Sequence, residues 1–225
     1  MIPKQSGLAM YNDIYNKDFY DLDISFLQEK RLCHNVDLIL TSAPYNEDFN
    51  SNYLDFFRQC DNLLSSTGAL VLLTSLNNKW MGLEDGRLNS MLLCGISYYA
   101  NKYNHNLLSI GIDDCGNYGY EHYIFYFVRS QSLVNKLPKQ WMMDHPATNR
   151  NEVNLVPFRG EFLDYVGDFF TSENGLICDP FAGWNTVGIW CEKNKRNYVG
   201  FERSEVQYKN IFDRKNDVIK MLGES

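Results

Sequence analysis

Two short stretches hold residues whose types and spacing suit chemistry. The first is Asp179-Pro180-Phe181-Ala182-Gly183-Trp184-Asn185, a turn between the apolar run Leu176, Ile177, Cys178 and a helical pattern that starts at Thr186. A second strand-like run, Asn197 to Phe201, ends on Glu202. That acid lies about twenty residues after the turn, the spacing at which an acid grips the ribose hydroxyls of a nucleoside cofactor. Gly183 and, two positions on, Asn185 are residue types that take left-handed backbone angles. No Lys follows, which argues against a phosphate-cradling loop. A Gly-bearing bend between strand and helix also occurs in many α/β proteins, so the turn alone leaves both readings open. The second stretch is Ser42-Ala43-Pro44-Tyr45, which closes the apolar run Val36 to Leu40. Beyond the carboxyl end of a buried strand it stands where an open α/β sheet holds its substrate. An ordinary strand-terminating turn explains the same four residues.

The first turn resembles motif I of S-adenosylmethionine (SAM)-dependent DNA amino-methyltransferases, D-P-F-x-G-S-G/N-T-T, with Trp184 in place of the small Ser and Val187 in place of the second Thr. The tetrapeptide resembles the S/D/N-P-P-Y/F catalytic motif of the same enzymes, with Ala43 replacing the first Pro. His145, Pro146 and Ala147, then Val156, Pro157 and Phe158 before an amphipathic helix, resemble motif X, which closes over the methionine end of SAM. Asn16, Lys17 and Asp18 stand where the family has a Gly-Asp pair whose acid helps hold the adenine; Lys17 replaces the Gly, and a surface-turn acid explains Asp18 equally well. The catalytic-like motif precedes the cofactor-like one, which is the circularly permuted order of the β class. The resemblance extends from about Asp18 to Phe212.

This resemblance implies a SAM cofactor held by Asp18, His145, Pro146, Asp179, Pro180, Phe181, Ala182, Gly183, Asn185, Thr186 and Glu202. It implies catalysis by Ser42, Ala43, Pro44 and Tyr45 on an exocyclic amino group of DNA. An aryl amine is a poor nucleophile because its lone pair is delocalised into the ring. Ser42 Oγ and the carbonyl of Ala43 would accept its hydrogens and favour a pyramidal nitrogen, while Tyr45 would stack on a base flipped out of the duplex. Ala43 keeps the carbonyl, Pro44 holds residue 43 extended, and restoring Pro at 43 is expected to maintain or raise activity. Ser42 and Asn185 resemble the N4-cytosine branch more than the N6-adenine branch. The rival reading is a methyltransferase-like protein that binds without catalysing, as a partner subunit, because Ala43, Lys17 and Trp184 depart from the family pattern.

The elements that must position these residues follow from periodicity. Short apolar runs alternating with helical patterns predict an α/β protein, a mostly parallel twisted sheet with helices on both faces; the family it resembles has a Rossmann-like fold of this kind. Strands are expected at Met10–Tyr15, Val36–Leu40, Ala69–Thr74, Leu107–Ile112, His122–Val128, Leu176–Cys178 and Asn197–Phe201. Helices are expected near Ile24–Lys30, Asn52–Leu64 and Trp80–Cys94, the last with a loop around Glu84–Gly86, then one through Phe162, Val166, Phe169 and Phe170, one after Thr186, and one over Ser204–Leu222 opened by a Ser204/Gln207 capping box. Gly68 reads as punctuation between helix and strand.

The 225 residues suit one methyltransferase domain, with residues 111–151 as a small target-recognition insertion or a plain surface one. Twenty-one basic against 28 acidic residues leave a net charge of −7. That argues against a generally basic nucleic-acid coat, so DNA contact would need a local patch, for which Lys136, Lys139, Arg150 and Arg159 are the candidates. Six cysteines without a C-x-x-C pair and without a secretory signal suggest reduced thiols and a cytoplasmic protein. Four histidines lack metal-ligand spacing, and no apolar run is long enough to cross a membrane, so neither a metal nor a membrane is expected. The partners expected are DNA, through a flipped target base, and, further, a second copy or a partner subunit.

Overall fold

The computed structural model describes residues 12–43, 52–75, 90–114, 121–129, 158 and 160–222. Its strands are β1 (Asn12–Tyr15), β2 (Val36–Ser42), β3 (Leu64–Ser75), β4 (Asn106–Asp114), β5 (Glu121–Val128), β6 (Leu176–Asp179) and β7 (Asn197–Phe201). Its α-helices are α1 (Ile24–Glu29), α2 (Tyr53–Leu63), α3 (Ser90–Lys102), α4 (Gly160–Phe170), α5 (Thr186–Lys193), α6 (Glu205–Asp213) and α7 (Lys215–Met221). The strands form one seven-stranded sheet in the order β1-β7-β6-β2-β3-β5-β4. The four pairs from β1 to β3 are parallel; β5 runs antiparallel to both β3 and β4.

Both faces of the central strands are buried, which is why those strands read as continuous apolar runs rather than as alternating ones. Leu70, Leu72, Phe125, Phe127, Cys178, Val199 and Phe201 point to one face and meet Leu27 of α1, Phe56, Phe57 and Leu63 of α2 and Ile96 of α3. Leu38, Leu40, Val71, Tyr126, Ile177 and Tyr198 point to the other and meet Phe162 and Val166 of α4 and Val187, Trp190 and Cys191 of α5. Residues one apart therefore serve opposite layers.

Three expectations about the elements change. Gly68 lies inside β3, which begins at Leu64; a Cβ there would lie 2.8 Å from the Leu64 side chain and 3.0 Å from the Val36 carbonyl, so the glycine lets β2 and β3 close together. The helix expected to end at Cys94 runs on to Lys102. The single C-terminal helix is two, α6 and α7, which meet at Arg214 (φ −93°, ψ −1°), the end of one and the start of the other. Ser204 does cap α6, accepting from the Gln207 N–H at 3.3 Å. The Gln207 side chain accepts from Arg214 Nη1 instead of completing the capping box. No helix of the described residues is long and apolar enough to cross a membrane.

Candidate active site

Strand order decides where a site can form. From β6 the chain crosses to β7 on one side, whereas from β2 it crosses to β3 on the other. The adjacent carboxyl ends of β6 and β2 therefore border the crevice that opens wherever a parallel sheet reverses its winding. Leu38 pairs with Ile177 and Ile39 with Cys178, which sets Asp179 beside the end of β2 that carries Ser42. A hydrogen bond joins the two strands, Thr41 Oγ1 donating to Asp179 Oδ1 at 2.7 Å. Oδ1 also accepts from the Phe181 N–H at 3.1 Å, which bends the chain over the strand end.

Asp179 is only 3% exposed. Burial pushes its carboxyl up to about 7, the neighbouring Glu202 charge adds to the rise, and the bonds from Thr41 and Phe181 oppose it. A carboxyl held near neutrality in a cleft is a common attribute of functional acids.

The turn after Asp179 is built from backbone bonds and two left-handed residues, Gly183 (φ 51°) and Asn185 (φ 59°), as their residue types led us to expect. Ala182 N–H donates to the Phe201 carbonyl at 2.9 Å and Asn185 N–H to the Ala182 carbonyl at 2.6 Å. Glu202 holds the crest of the turn: one carboxylate oxygen accepts from Gly183 N–H at 3.0 Å and the other from Ser204 N–H at 2.8 Å. Its own N–H donates to the Tyr15 carbonyl, and the Asn16 amide donates to its carbonyl at 2.8 Å.

Because β1 lies beside β7, Asp18 arrives in the same cavity as Glu202. This cavity, of about 110 Å³, is lined by Asp18, Phe19, Tyr20, Phe181, Glu202 and Arg203, among others. Asp18 caps a short 3-10 turn, accepting from Tyr20 N–H at 3.0 Å, and faces Arg203 Nη1 at 3.7 Å. Phe181 is set against Phe19, Tyr20 and Phe56, with ring centroids 5.8 to 6.0 Å away. Lys17, the replacement for the family Gly, has its ammonium 4.9 Å from the Phe26 ring centroid.

Under the turn, Asn185 Oδ1, Thr186 Oγ1 and the Tyr198 hydroxyl are buried and have no hydrogen-bond partner among the described residues. A Cβ at Gly188 would overlap both Asn185 Oδ1 and the Tyr198 ring, so this glycine makes the room they occupy. Orphaned polar atoms beside a carboxylate cradle and an aromatic cavity fit a nucleoside bearing a polar, charged tail.

At the end of β2, Ser42 pairs with Leu73 and is half-buried, while Ala43 is buried. Ala43 N–H donates to the Leu73 carbonyl at 2.9 Å, continuing the ladder with β3. That bond supplies the rigidity that the absent Pro would bring. It also reverses the expectation for Pro at 43, which has no N–H to give and would break the bond. Pro44, Tyr45, His145 and Pro146 lie outside the described residues, as do residues 115–120 and 130–151 of the expected insertion and Lys136, Lys139, Arg150 and Arg159. Thr41, Asn16, Arg203 and Tyr198 complete the site without having been assigned to it from sequence. For Thr41 the only signal was its position one residue before Ser42.

Comparison with known proteins agrees with this arrangement. Residues 164–213 match a family model described as DNA methylase. No curated protein matches the chain. Among solved structures, the M1.HpyAVI–SAM complex is similar with a TM-score of 0.66 and 17% identity, over 90% of this chain and 98% of that one. TTHA0409 from Thermus thermophilus, complexed with S-adenosyl-L-methionine, gives a TM-score of 0.64 at 17% identity over 94% and 96%. The cytosine-N4-specific PvuII DNA methyltransferase gives 0.59 at 14% identity, over 92% of each chain. The chain has the fold these proteins share, a mostly parallel twisted sheet with helices on both faces.

Proposed function

We propose that this chain, which shares the fold of SAM-bound DNA methyltransferases and carries a DNA methylase pattern through its cofactor-like turn, transfers a methyl group from SAM to an exocyclic amino group of a DNA base. The observation that carries the reading is the juncture of β2 and β6, where Ser42 follows Thr41 and Thr41 is bonded to Asp179. A catalytic motif and a cofactor motif thereby share one crevice.

SAM supplies an electrophilic methyl group. Glu202 receives the ribose hydroxyls, keeping its grip on Gly183 and Ser204 with its remaining lone pairs. Asp18, Phe19, Tyr20 and Phe181, which line the cavity, receive the adenine, and Asp179 with the unpartnered Asn185 Oδ1 and Thr186 Oγ1 would serve the charged amino-acid end. Ser42 Oγ and the Ala43 carbonyl accept hydrogens from the target amine and so return its lone pair to the nitrogen. Tyr45 stacks on the flipped base, and His145 and Pro146 close over the methionine end. Within residues 111–151, the stretches outside β4 and β5 serve target recognition. Ser42 and Asn185 favour the N4 of cytosine over the N6 of adenine.

Mass spectrometry of nucleosides from DNA of cells expressing the chain tests the reading. N4-methylcytosine is the expected product, and N6-methyladenine in its place would correct the target while keeping the reaction. If neither forms although the purified protein binds SAM, the chain is a non-catalytic partner subunit. Glu202→Ala is expected to raise the SAM Kd about tenfold to a hundredfold in calorimetry, matching the roughly 1.5–3 kcal/mol of a charge-assisted hydrogen bond. Unchanged affinity removes Glu202 from the site.

A further inference from the structure

Trp184 is the bulkiest departure in the cofactor-like turn, sitting between its two left-handed residues. Its half-buried ring lies under the Arg214 guanidinium, with 4.6 Å from Arg214 Cζ to the ring centroid. Arg214 forms the break between α6 and α7, and its Nη1 is held by Gln207 Oε1 at 3.2 Å. Lys215 ties the same break to α5 by donating to Glu192 at 2.8 Å. The adjacent residue of the turn, Gly183, is bound to Glu202, and Glu202 is bound to the first N–H ahead of α6 at Ser204. These contacts close a ring: Gly183, Glu202, Ser204, α6, Arg214, Trp184 and back to Gly183.

We infer that Arg214 is a positioning residue which, acting through Trp184, holds the cofactor turn in its binding shape before the cofactor arrives. The inference rests on the proposed SAM site and extends it to a residue outside the site. Backbone bonds tie Ala182 and Asn185, and Glu202 holds the crest of the turn at Gly183. The flat guanidinium over the indole adds a restraint on the residue between the two left-handed positions. A small Ser at 184, as in the motif the turn resembles, gives the guanidinium nothing to stack on. The residue at the junction of α6 and α7 is thus the one whose side chain lies on the ring.

The test uses the full chain with Arg214→Ala, Arg214→Lys and Gln207→Ala, each made alone and in a Trp184→Ser background. Two properties are read: hydrogen exchange of the Gly183 and Asn185 amides without cofactor, and the SAM Kd. Arg214→Ala is expected to speed exchange at those amides and raise the Kd about threefold to tenfold, the span of a half-buried cation–π contact, with kcat at saturating SAM unchanged. Arg214→Lys and Gln207→Ala should fall between it and the parent. In the Trp184→Ser background all these effects should vanish. Unaltered exchange in Arg214→Ala, or equal effects in both backgrounds, overturns the inference. Faster exchange that depends on Trp184, in a protein that binds no SAM, supports the brace and overturns only the functional reading.

Discussion

Ser42→Ala is expected to lower the single-turnover methylation rate about a hundredfold, the loss seen when one polar contact to a reacting group is removed, with the SAM Kd within about twofold of the parent. Ser42 occupies the last position of β2, opposite Leu73, and Asp179 ends the neighbouring strand. Pleat alternation puts Ser42 and Thr41 on opposite faces of β2, and Thr41 is the one that donates to Asp179. The two hydroxyls thus have separate tasks. Losing the one at 42 affects the amine and spares the cofactor cradle. A rate equal to the parent's would mean that the tetrapeptide is only a turn.

Asp179→Asn should produce opposite changes in stability and affinity. In the folded chain the carboxyl titrates at about 7, whereas an unfolded Asp titrates at about 3.9. Between those values the unfolded state releases its proton first, so the native chain loses stability as pH rises from about 4 to about 7. Below that window the residue contributes no such loss, and above it the loss is complete. Asn cannot ionise, yet its carbonyl oxygen can keep accepting from Thr41 and Phe181. At pH 8 urea denaturation should therefore find the variant more stable by about 2 to 4 kcal/mol, with the gain vanishing near pH 4. The SAM Kd should nevertheless rise tenfold or more, on the order of one lost charge-assisted contact, because the cationic end of the cofactor would meet an amide. For the same reason parent affinity should increase as pH climbs towards 7, and the variant's should stay flat. A variant less stable than the parent at pH 8 would contradict the burial account of Asp179.

The shape of the cofactor turn was legible because it depends on local backbone sterics. Gly183 and Asn185 are residue types that tolerate positive φ, and both adopt it. Ser204 was legible as a cap on the same ground, its hydroxyl meeting an N–H three residues away. The split at Arg214 was hidden, since Lys215 to Met221 has a sequence that continues a helix. Trp184 was ambiguous for a related reason: stacking near the cofactor and blocking its entrance both fitted the sequence, and its contact with Arg214, thirty positions away in the chain, was not visible there.

Sequence by itself determined the α/β class, the positions of most strands, and the two motifs with their order, because apolar runs, turn residues and motif spacing are properties of neighbouring residues. Only the tertiary structure decided which strand ends meet. Thr41 and Asp179 are 138 residues apart and bond at 2.7 Å because β6 inserts between β7 and β2. Asp18 became a neighbour of Glu202 because β1 pairs with β7, and Ala43 gained rigidity from Leu73 because β3 pairs with β2. The neutral-range titration of Asp179 belongs to the same level. It arises from burial between two layers of helices, which no stretch of the chain can create alone.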